Sequence, residues 1–433
     1  QNNTLIGAFS GDTITTGADN TAVGKSSLTA NTTGAVNTAI GSQALFSNTT
    51  GCCNVAIGGD NMYNNTTGIR NVSVGKNTLE ANTTGNCNTS VGFSAMAANT
   101  TGANNVAIGS SALKANTTAA LNTGVGDCAL QANTTGDINA AFGAYALKFN
   151  TTGAANTAVG KNSLQANTTA SNNTGIGYNA LYANTTGANS VAVGSGALSS
   201  NTTSGENTAV GFGALATQST GTPNEAFGNQ SLCKLTTGSS NTGIGFRAMC
   251  NVTTATSNIA VGKHALIGAT TGGANVAVGF DAGCNITTGA GNVAIGYYSG
   301  IATSPFNITT ENFRVVVGYN NTTNAYVKVA WTVTSDLRDK TNFGTVPHGL
   351  DFVNQLEPVS FQFKKSRDND TPHGDVRYGF KAQDILALEG DNPVIIDTEE
   401  PDHLKYKGEH LVPVLVNAIK ELKARIEVLE NEW

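Results

Sequence analysis

Apolar residues recur along the first 300 positions with a strict period of seventeen. An Ile, Val or Phe stands directly before a Gly at every seventeenth position from Gly7 to Gly296, in eighteen copies without an insertion or deletion. Loops of globular domains vary freely in length, so an unbroken period means that each unit stacks on its neighbours in register. The pattern predicts a β-solenoid or stacked fibre.

A typical unit, residues 37–53, contains two short apolar segments separated by turn residues. We predict that two kinds of position form the buried stripe. One is the branched residue before the Gly, such as Ile40 or Ile57, and the other is the Leu or Met four positions after it, such as Leu45 or Met62. The two positions directly after the Gly vary freely, so we expect them to face outward. One coil is too thin to hold a core alone, so stability must come from neighbouring coils and sister chains.

Two Asn columns accompany the repeat. An Asn stands four residues before the Gly in every unit except the one with Ser190. Asn side chains stacked at a turn can bond backbone groups and form a ladder. The recurrent Asn-Thr-Thr-Gly corners match the acceptor sequence for N-glycosylation. Because the corner recurs at a fixed place, we predict that it is structural.

The units become more apolar after about residue 228. Leu235 and Val252 replace the corner Asn, which predicts a changed cross-section or closer intertwining of chains. Cys233 and Cys250 occupy the same place in consecutive units, within disulfide reach. We expect reduced thiols there, because seven Cys without a C-x-x-C pair fit a protein assembled in a reducing cytosol.

A different pattern begins after Gly300. Segments 313–318 and 325–333 read as β-strands. A helix is predicted over 350–356, a strand over 359–363 and a second helix over 382–388. The last segment predicts a short coiled coil, since apolar residues alternate at spacings of three and four. By itself this spacing would also allow a dimer. Its apolar positions are Val412, Leu415, Ile419, Leu422, Ile426 and Leu429.

Charge divides the chain in the same way. Of the 52 charged residues, 18 lie in positions 1–300 and 34 in the last 133. We therefore predict a repetitive β-fibre shaft at 1–300, a β-stranded junction at 301–334 and a small α+β domain at 335–433. The fibre has no basic stripe for nucleic acid and no apolar run for membrane insertion. No Cys/His cluster has metal-site spacing, and we expect neither a metal nor a cofactor.

Two stretches resemble known families. The pattern NTAIGSQA at 37–44 is similar to the head repeats of trimeric autotransporter adhesins, which form trimeric β-rolls, and similar stretches occur in phage tail fibres. The motifs SDLRDK at 335–340, LEPVSF at 356–361 and YGFKAQD at 378–384, followed by the last helix, resemble the intramolecular chaperone of endosialidases and other phage tail spikes.

The second resemblance implies a homotrimer whose chaperone domain folds the preceding fibre and then releases itself. It places the cut between Thr334 and Ser335, with Ser335 as nucleophile, Lys340 as base, and Asp336 and Arg338 in orienting roles. A Ser hydroxyl needs an adjacent base, and a Lys serves when burial or nearby cations lower its pKa. A separation of five residues is not a same-face helical spacing, so either the chain bends or another protomer contributes. The expected activity is single-turnover autoproteolysis.

The resulting hypothesis is a tail fibre or spike that attaches a virion to its host and is assembled in the host cytoplasm. Its partners would be a host surface receptor or glycan and other tail proteins. A trimeric adhesin on a bacterial cell surface and an ice- or surface-binding solenoid remain alternatives. Acidic residues of the fibre are scattered singly, which argues against a glycosidase. Exposed aromatic residues after the Gly can stack on sugars, although packing between sister chains is the favoured interpretation.

Overall fold

One short parallel strand per coil builds the repetitive part of the chain. The computed structural model describes residues 2–328, 335–366 and 369–431. Nineteen strands of this part form one parallel sheet. They are β1 (Thr4–Ile6), β2 (Thr21–Val23), β3 (Thr38–Ile40), β4 (Val55–Ile57), β5 (Val72–Val74), β6 (Thr89–Val91), β7 (Val106–Ile108), β8 (Thr123–Val125), β9 (Ala140–Phe142), β10 (Thr157–Val159), β11 (Thr174–Ile176), β12 (Val191–Val193), β13 (Thr208–Val210), β14 (Asn224–Phe227), β15 (Asn241–Ile244), β16 (Ile259–Val261), β17 (Val276–Val278), β18 (Val293–Ile295) and β19 (Val315–Val317).

The register of the sheet follows the seventeen-residue period. Ile40 in β3 pairs with Ile57 in β4, and every later step up to β18 keeps this offset. The last step is longer, because Val293 pairs with Val315 across 22 residues. The predicted solenoid is therefore confirmed, and it gains a nineteenth coil that absorbs an insertion.

The segments between the fibre and the C-terminal domain differ in part from the prediction. The strand predicted at 313–318 is confirmed as β19, whereas 325–328 form no strand and 329–334 lie outside the described residues. Compact units span Gln1–Tyr319 and Asn320–Trp433, so their boundary falls inside the predicted junction.

The core of each coil is narrower than the sequence suggested. Ala39 and Ala56, the central residues of their strands, are fully buried, and so are Leu45 and Met62. Ile40, however, is 38% exposed. In a strand of three residues the centre points one way and both flanks the other, and the thin coil has only Ala, Ser or Gly at the centre of strands β2 to β18. The prediction that the branched residue before the Gly is buried is therefore wrong for the single chain.

Both Asn columns are buried ladders. The backbone N–H of Asn54 donates to Asn37 Oδ1 at 3.1 Å. In the corner column, Asn65 Nδ2 donates to Asn48 Oδ1 at 2.8 Å and to the Gly68 carbonyl at 3.1 Å. Their structural role is confirmed, since these amides are fully buried and bonded within the fibre.

The late coils keep the same register while their corner changes chemistry. Leu235 and Val252 are fully buried in place of the corner Asn. Cys233 and Cys250 form a disulfide between adjacent coils, with Cα atoms 5.0 Å apart. The expectation of reduced thiols is wrong here, because in-register stacking brings equivalent Cys side chains to bonding distance.

The C-terminal unit is a small α+β domain. Helix α1 (Leu350–Val353) precedes the antiparallel hairpin of β20 (Val359–Ser366) and β21 (Asn369–Gly379). Helix α2 (Ala382–Glu389) and the short antiparallel pair β22 (Ile396–Asp397) and β23 (Lys405–Tyr406) follow, and α3 (Leu411–Asn431) ends the unit. Single 3₁₀ turns occur at Leu337–Asp339 and Gly408–His410. The helix predicted at 382–388, the C-terminal helix and the strand predicted at 359–363 are confirmed, whereas the helix predicted at 350–356 is a single turn that ends at Val353.

This domain has its own core, separate from that of the fibre. Its buried residues are Phe352, Ile385, Ile395, Ile396, Leu411 and Val414. Within the described part of the chain, no helix combines the length and apolar character that a membrane crossing requires.

Candidate self-cleavage site

A 3₁₀ turn folds the segment after Ser335 back on itself. Asp336 caps the turn, and its Oδ1 accepts a hydrogen bond from the Arg338 backbone N–H at 2.8 Å. The turn closes when the Lys340 backbone N–H donates to the Leu337 carbonyl at 3.2 Å. A capped turn of this kind is what Ser-Asp sequences favour, and it reverses the chain within five residues.

The reversal brings the two predicted reactive side chains together. Lys340 Nζ donates to Ser335 Oγ at 2.6 Å. The chain itself therefore bends as the spacing required, and no second protomer is needed for this contact. A hydroxyl bonded to an amine is the arrangement that base-assisted attack by Ser requires. The catalytic roles of Ser335 and Lys340 remain predictions.

Asp336 and Arg338 form a bidentate ion pair beside this contact. Arg338 Nη2 lies 2.6 Å from Asp336 Oδ2, and Arg338 Nε lies 3.0 Å from Asp336 Oδ1. The Arg338 guanidinium lowers the pKa of Asp336, and Asp336 in turn raises the pKa of Arg338. Among the described residues, their side chains bond each other and not those of Ser335 or Lys340. They can orient the reactive pair only by holding the turn.

The site is open to solvent in the single chain. Ser335 and Lys340 are exposed, and the Leu337 side chain inside the turn is 71% exposed. A Lys amine accepts a proton only in its neutral form, which burial or nearby cations favour. The described residues of one chain do not bury this pair. Thr334, the other side of the predicted cut, lies outside the described residues.

The β20–β21 hairpin holds the chain just upstream of the site. Arg377 Nη2 donates to the Thr323 carbonyl at 2.6 Å, and His373 Nε2 lies 3.2 Å from the Asn321 carbonyl. The sequence analysis missed these residues. No sequence motif marked them, since β21 contains Pro372 and Gly374 and lacks an alternating apolar pattern.

Helix α3 presents two apolar faces. Leu411, Val414 and Ala418 pack into the domain. The predicted coiled-coil positions form a second, exposed face, which we call the α3 stripe. It comprises Val412, Leu415, Ile419, Leu422, Ile426 and Leu429.

A second exposed apolar stripe runs along the fibre. The branched residue at the end of most strands is exposed, so these side chains form a continuous apolar row, the strand-end stripe. Examples are Ile40, Ile57, Val91, Ile108, Val159 and Ile176. Contiguous exposed apolar rows of this extent mark interaction surfaces.

Comparison with known proteins finds a similarity for part of the C-terminal unit. Residues 335–392 match the family described as chaperone of endosialidase. The match begins at Ser335 and includes the 3₁₀ turn, α1, the hairpin and α2. The chain thus combines a β-solenoid with a C-terminal segment that is similar to this family. No curated protein matches the chain.

Proposed function

We propose that the chain is a trimeric phage tail fibre or spike that mediates host attachment and whose C-terminal domain releases itself by cleavage before Ser335. The single observation that carries the proposal is the 2.6 Å contact between Lys340 Nζ and Ser335 Oγ at the start of a chaperone domain that follows a fibre. A β-solenoid fibre joined to such a domain fits a trimeric fibre or spike.

The two apolar stripes support assembly from identical chains. The α3 stripe has the spacing of a coiled coil, and three heptads alone are marginal, so it needs partners. The strand-end stripe repeats once per coil. Sister chains stacked with the same layer spacing would cover it along its whole length. A stable monomer in light scattering would contradict this assembly.

The proposed cleavage needs no cofactor. Ser335 Oγ attacks the carbonyl carbon of Thr334 while Lys340 accepts the hydroxyl proton. The bond from this carbon to the Ser335 nitrogen breaks, the nitrogen takes up the proton, and an ester remains. Water then hydrolyses the ester, giving a carboxylate at Thr334 and restoring the Ser335 hydroxyl. Since the pair is exposed in one chain, we expect neighbouring protomers to bury it, so that cleavage follows assembly.

This order of events has a thermodynamic reason. Folding of a stacked fibre costs loop-closure entropy before the contacts between coils form and stabilise it. A compact trimerising domain fixes the register and raises the effective concentration of the chains. Its removal leaves a fibre that cannot easily refold once opened, so unfolding is irreversible and the lifetime of the product is set by its unfolding rate.

Electrophoresis with intact-mass measurement tests the cleavage. We expect the wild type to yield fragments ending at Thr334 and beginning at Ser335, whereas Ser335→Ala and Lys340→Met remain full-length chains of 44.1 kDa. Ser360→Ala, a Ser of strand β20, is the matched control and should be cut normally. If the wild type also stays intact, cleavage is refuted while the chaperone role survives.

In the Asn-Thr-Thr-Gly corners, the hydroxyl of the first Thr is not available to an ice-binding surface. Thr49 Oγ1 donates to the Thr66 carbonyl at 3.1 Å, and Thr66 Oγ1 donates to the Thr83 carbonyl at 3.0 Å. These hydroxyls hold adjacent coils together and are not free to organise water.

A further inference from the structure

Aromatic residues alternate with small or polar ones along one column of the fibre. The column is the position directly after the Gly that recurs in every coil. From coil eleven to coil seventeen it reads Tyr178, Ser195, Phe212, Asn229, Phe246, Lys263 and Phe280, and only at coil eighteen does a second aromatic residue, Tyr297, follow directly. An aromatic side chain thus stands on every second layer, with one non-aromatic layer in each gap.

The geometry of the fibre sets the width of these gaps. Equivalent Cα atoms of adjacent coils are 5.0 Å apart at Cys233 and Cys250, and two strand layers span roughly 10 Å. Where aromatic side chains occupy adjacent layers they stack, as Phe46 and Tyr63 do with centroids 4.9 Å apart and planes 3° from parallel. A gap of two layers therefore accommodates one ring, with an aromatic contact on each side.

The protein itself fills one of these gaps. Lys263 lies between Phe246 and Phe280, with Nζ 5.9 Å and 5.3 Å from the two ring centroids. Both distances are within the range of cation–π contact. A group placed between two aromatic side chains of this column can therefore touch both.

The gap between Tyr178 and Phe212 is open instead. Ser195 and Gly196 stand in the intervening layer, and Gly213 follows Phe212. Because these residues are small, a notch of about 310 Å³ remains, lined also by Asn179 and Gln230. Tyr178 is 53% and Phe212 57% exposed. This volume lies at the small end of ligand sites.

The lining of the notch indicates the chemistry of its occupant. Asn179, Ser195 and Gln230 offer neutral donors and acceptors around the gap, and the lining residues include no Asp, Glu, Lys or Arg. The side-chain amide of Gln230 has no hydrogen-bond partner in the described part of the chain, whereas its backbone N–H donates to the Phe212 carbonyl. A saccharide ring has apolar C–H faces for the aromatic side chains and hydroxyl groups at its edge for the polar ones. A cation would find no counter-charge.

We propose that the notch between Tyr178 and Phe212 binds one neutral sugar ring of a glycan, inserted between the two aromatic side chains. The site deepens the attachment function proposed above and rests on it for its biological role. Asn179, Ser195 and Gln230 are assigned to hydrogen bonds with the sugar hydroxyls. Tyr178 and Phe212 provide the stacking contacts.

The test uses the assembled full chain and free sugars. The probes are neutral methyl glucosides, methyl galactosides and N-acetylglucosamine, observed by saturation-transfer NMR and titrated by calorimetry. We expect saturation transfer from the wild type and at least about tenfold weaker binding by Ser195→Lys, which fills the notch as Lys263 fills its own gap. Phe212→Ala should weaken binding similarly. Phe93→Ala is the matched control and should bind normally, because Phe93 is exposed in the same column without an aromatic residue two layers away.

Several results would overturn the proposal. The first is that no neutral probe binds, and the second is that Ser195→Lys binds as well as the wild type. The third is that only choline or N-acetylneuraminic acid binds. The fourth is loss of the trimer in Phe212→Ala, which would assign the aromatic residues to sister-chain packing. Adsorption to host cells is measured separately. If Ser195→Lys loses sugar binding but still adsorbs, attachment stands and uses another site. If the wild type binds sugar but adsorbs to no host, the attachment function fails while the sugar site stands.

Discussion

At the scale of the residue, the Gly after each strand is required by backbone geometry. Gly75 has φ +134°, a conformation that L side chains rarely adopt. A Cβ at this position would meet the Gly92 carbonyl oxygen at 2.6 Å. The next coil therefore lies too close for any side chain, and each coil imposes the same condition on its neighbour.

Gly75→Ala should destabilise the fibre by more than about 2 kcal/mol, through strain and through displacement of the adjacent coil. Gly59→Ala is the matched control, since the nearest atom to its Cβ would be the Ser42 carbonyl oxygen at 3.9 Å. It should be neutral or stabilise slightly. Thermal unfolding followed by circular dichroism measures both, and equal midpoints would contradict the argument.

The Asp336–Arg338 pair gives a prediction about pH. Because Arg338 lowers the pKa of Asp336 in the folded chain, the stabilisation is present above the ordinary Asp value of about 3.9 and is lost as pH falls through the lower folded value. In Arg338→Ala we expect the pKa of Asp336 to rise toward its ordinary value, as an NMR titration of the side-chain carboxyl would show. Arg425→Ala, whose guanidinium lies 3.5 Å from Asp351, is the control. An unmoved midpoint in Arg338→Ala would exclude the guanidinium as the cause.

Residue patterns predicted the stacking but not the direction of every side chain. The seventeen-residue period determined which strands pair, because equivalent residues of successive coils must lie side by side. Ile40 seemed a core residue by its chemistry, yet a three-residue strand in a thin coil buries only its centre, Ala39. The hydrophobicity of a side chain predicts that it is buried. It does not show whether its own chain or another chain buries it.

At the scale of the element, α3 has two apolar faces in different surroundings. One face packs against its own domain, and Leu350 at the start of α1 donates its backbone N–H to Glu421 Oε2 of α3 at 2.8 Å. The other face, the α3 stripe, is exposed. A helix docked on one side and uncovered on the other is suited to joining folded domains.

Ile419→Lys should therefore leave the domain folded and weaken its association. Ile419 is 66% exposed in the single chain, so a charge there costs little until sister helices approach. We expect severalfold less trimer after refolding, measured by light scattering. Lys420→Ala, one position outside the stripe, should assemble like the wild type. Equal assembly of the two variants would remove the α3 stripe from the interface.

The elements of the C-terminal unit were predictable to different degrees. Helices α2 and α3 have periodically spaced apolar residues, and Gly390 follows the end of α2. Both helices were predicted. Strand β21 was not, since its strand character comes from pairing with β20. The bend that joins Lys340 to Ser335 was a requirement of the proposed chemistry, and the sequence did not specify the 3₁₀ turn that provides it.

At the scale of the whole molecule, the shaft behaves as a stack of interchangeable layers. Removal of residues 105–121, one full period, should keep every ladder in register and shorten the shaft by about 4.8 Å. Removal of residues 105–120 leaves one coil a residue short, so a strand or an Asn ladder loses its register at that junction while the later coils keep theirs. We expect near-wild-type thermal stability for the first deletion and poor assembly for the second. Similar behaviour of both would contradict register control.

The disulfide between Cys233 and Cys250 also has a mechanical consequence. A shaft pulled along its axis can lengthen by peeling off coils. One coil of seventeen residues contributes about 4.8 Å when stacked and about 60 Å when drawn straight. Cys233 and Cys250 are seventeen residues apart, so their bond closes one coil into a covalent loop. Under load this loop cannot be drawn straight. When peeling reaches it from either end, the shaft therefore does not lengthen there as it does at every other coil.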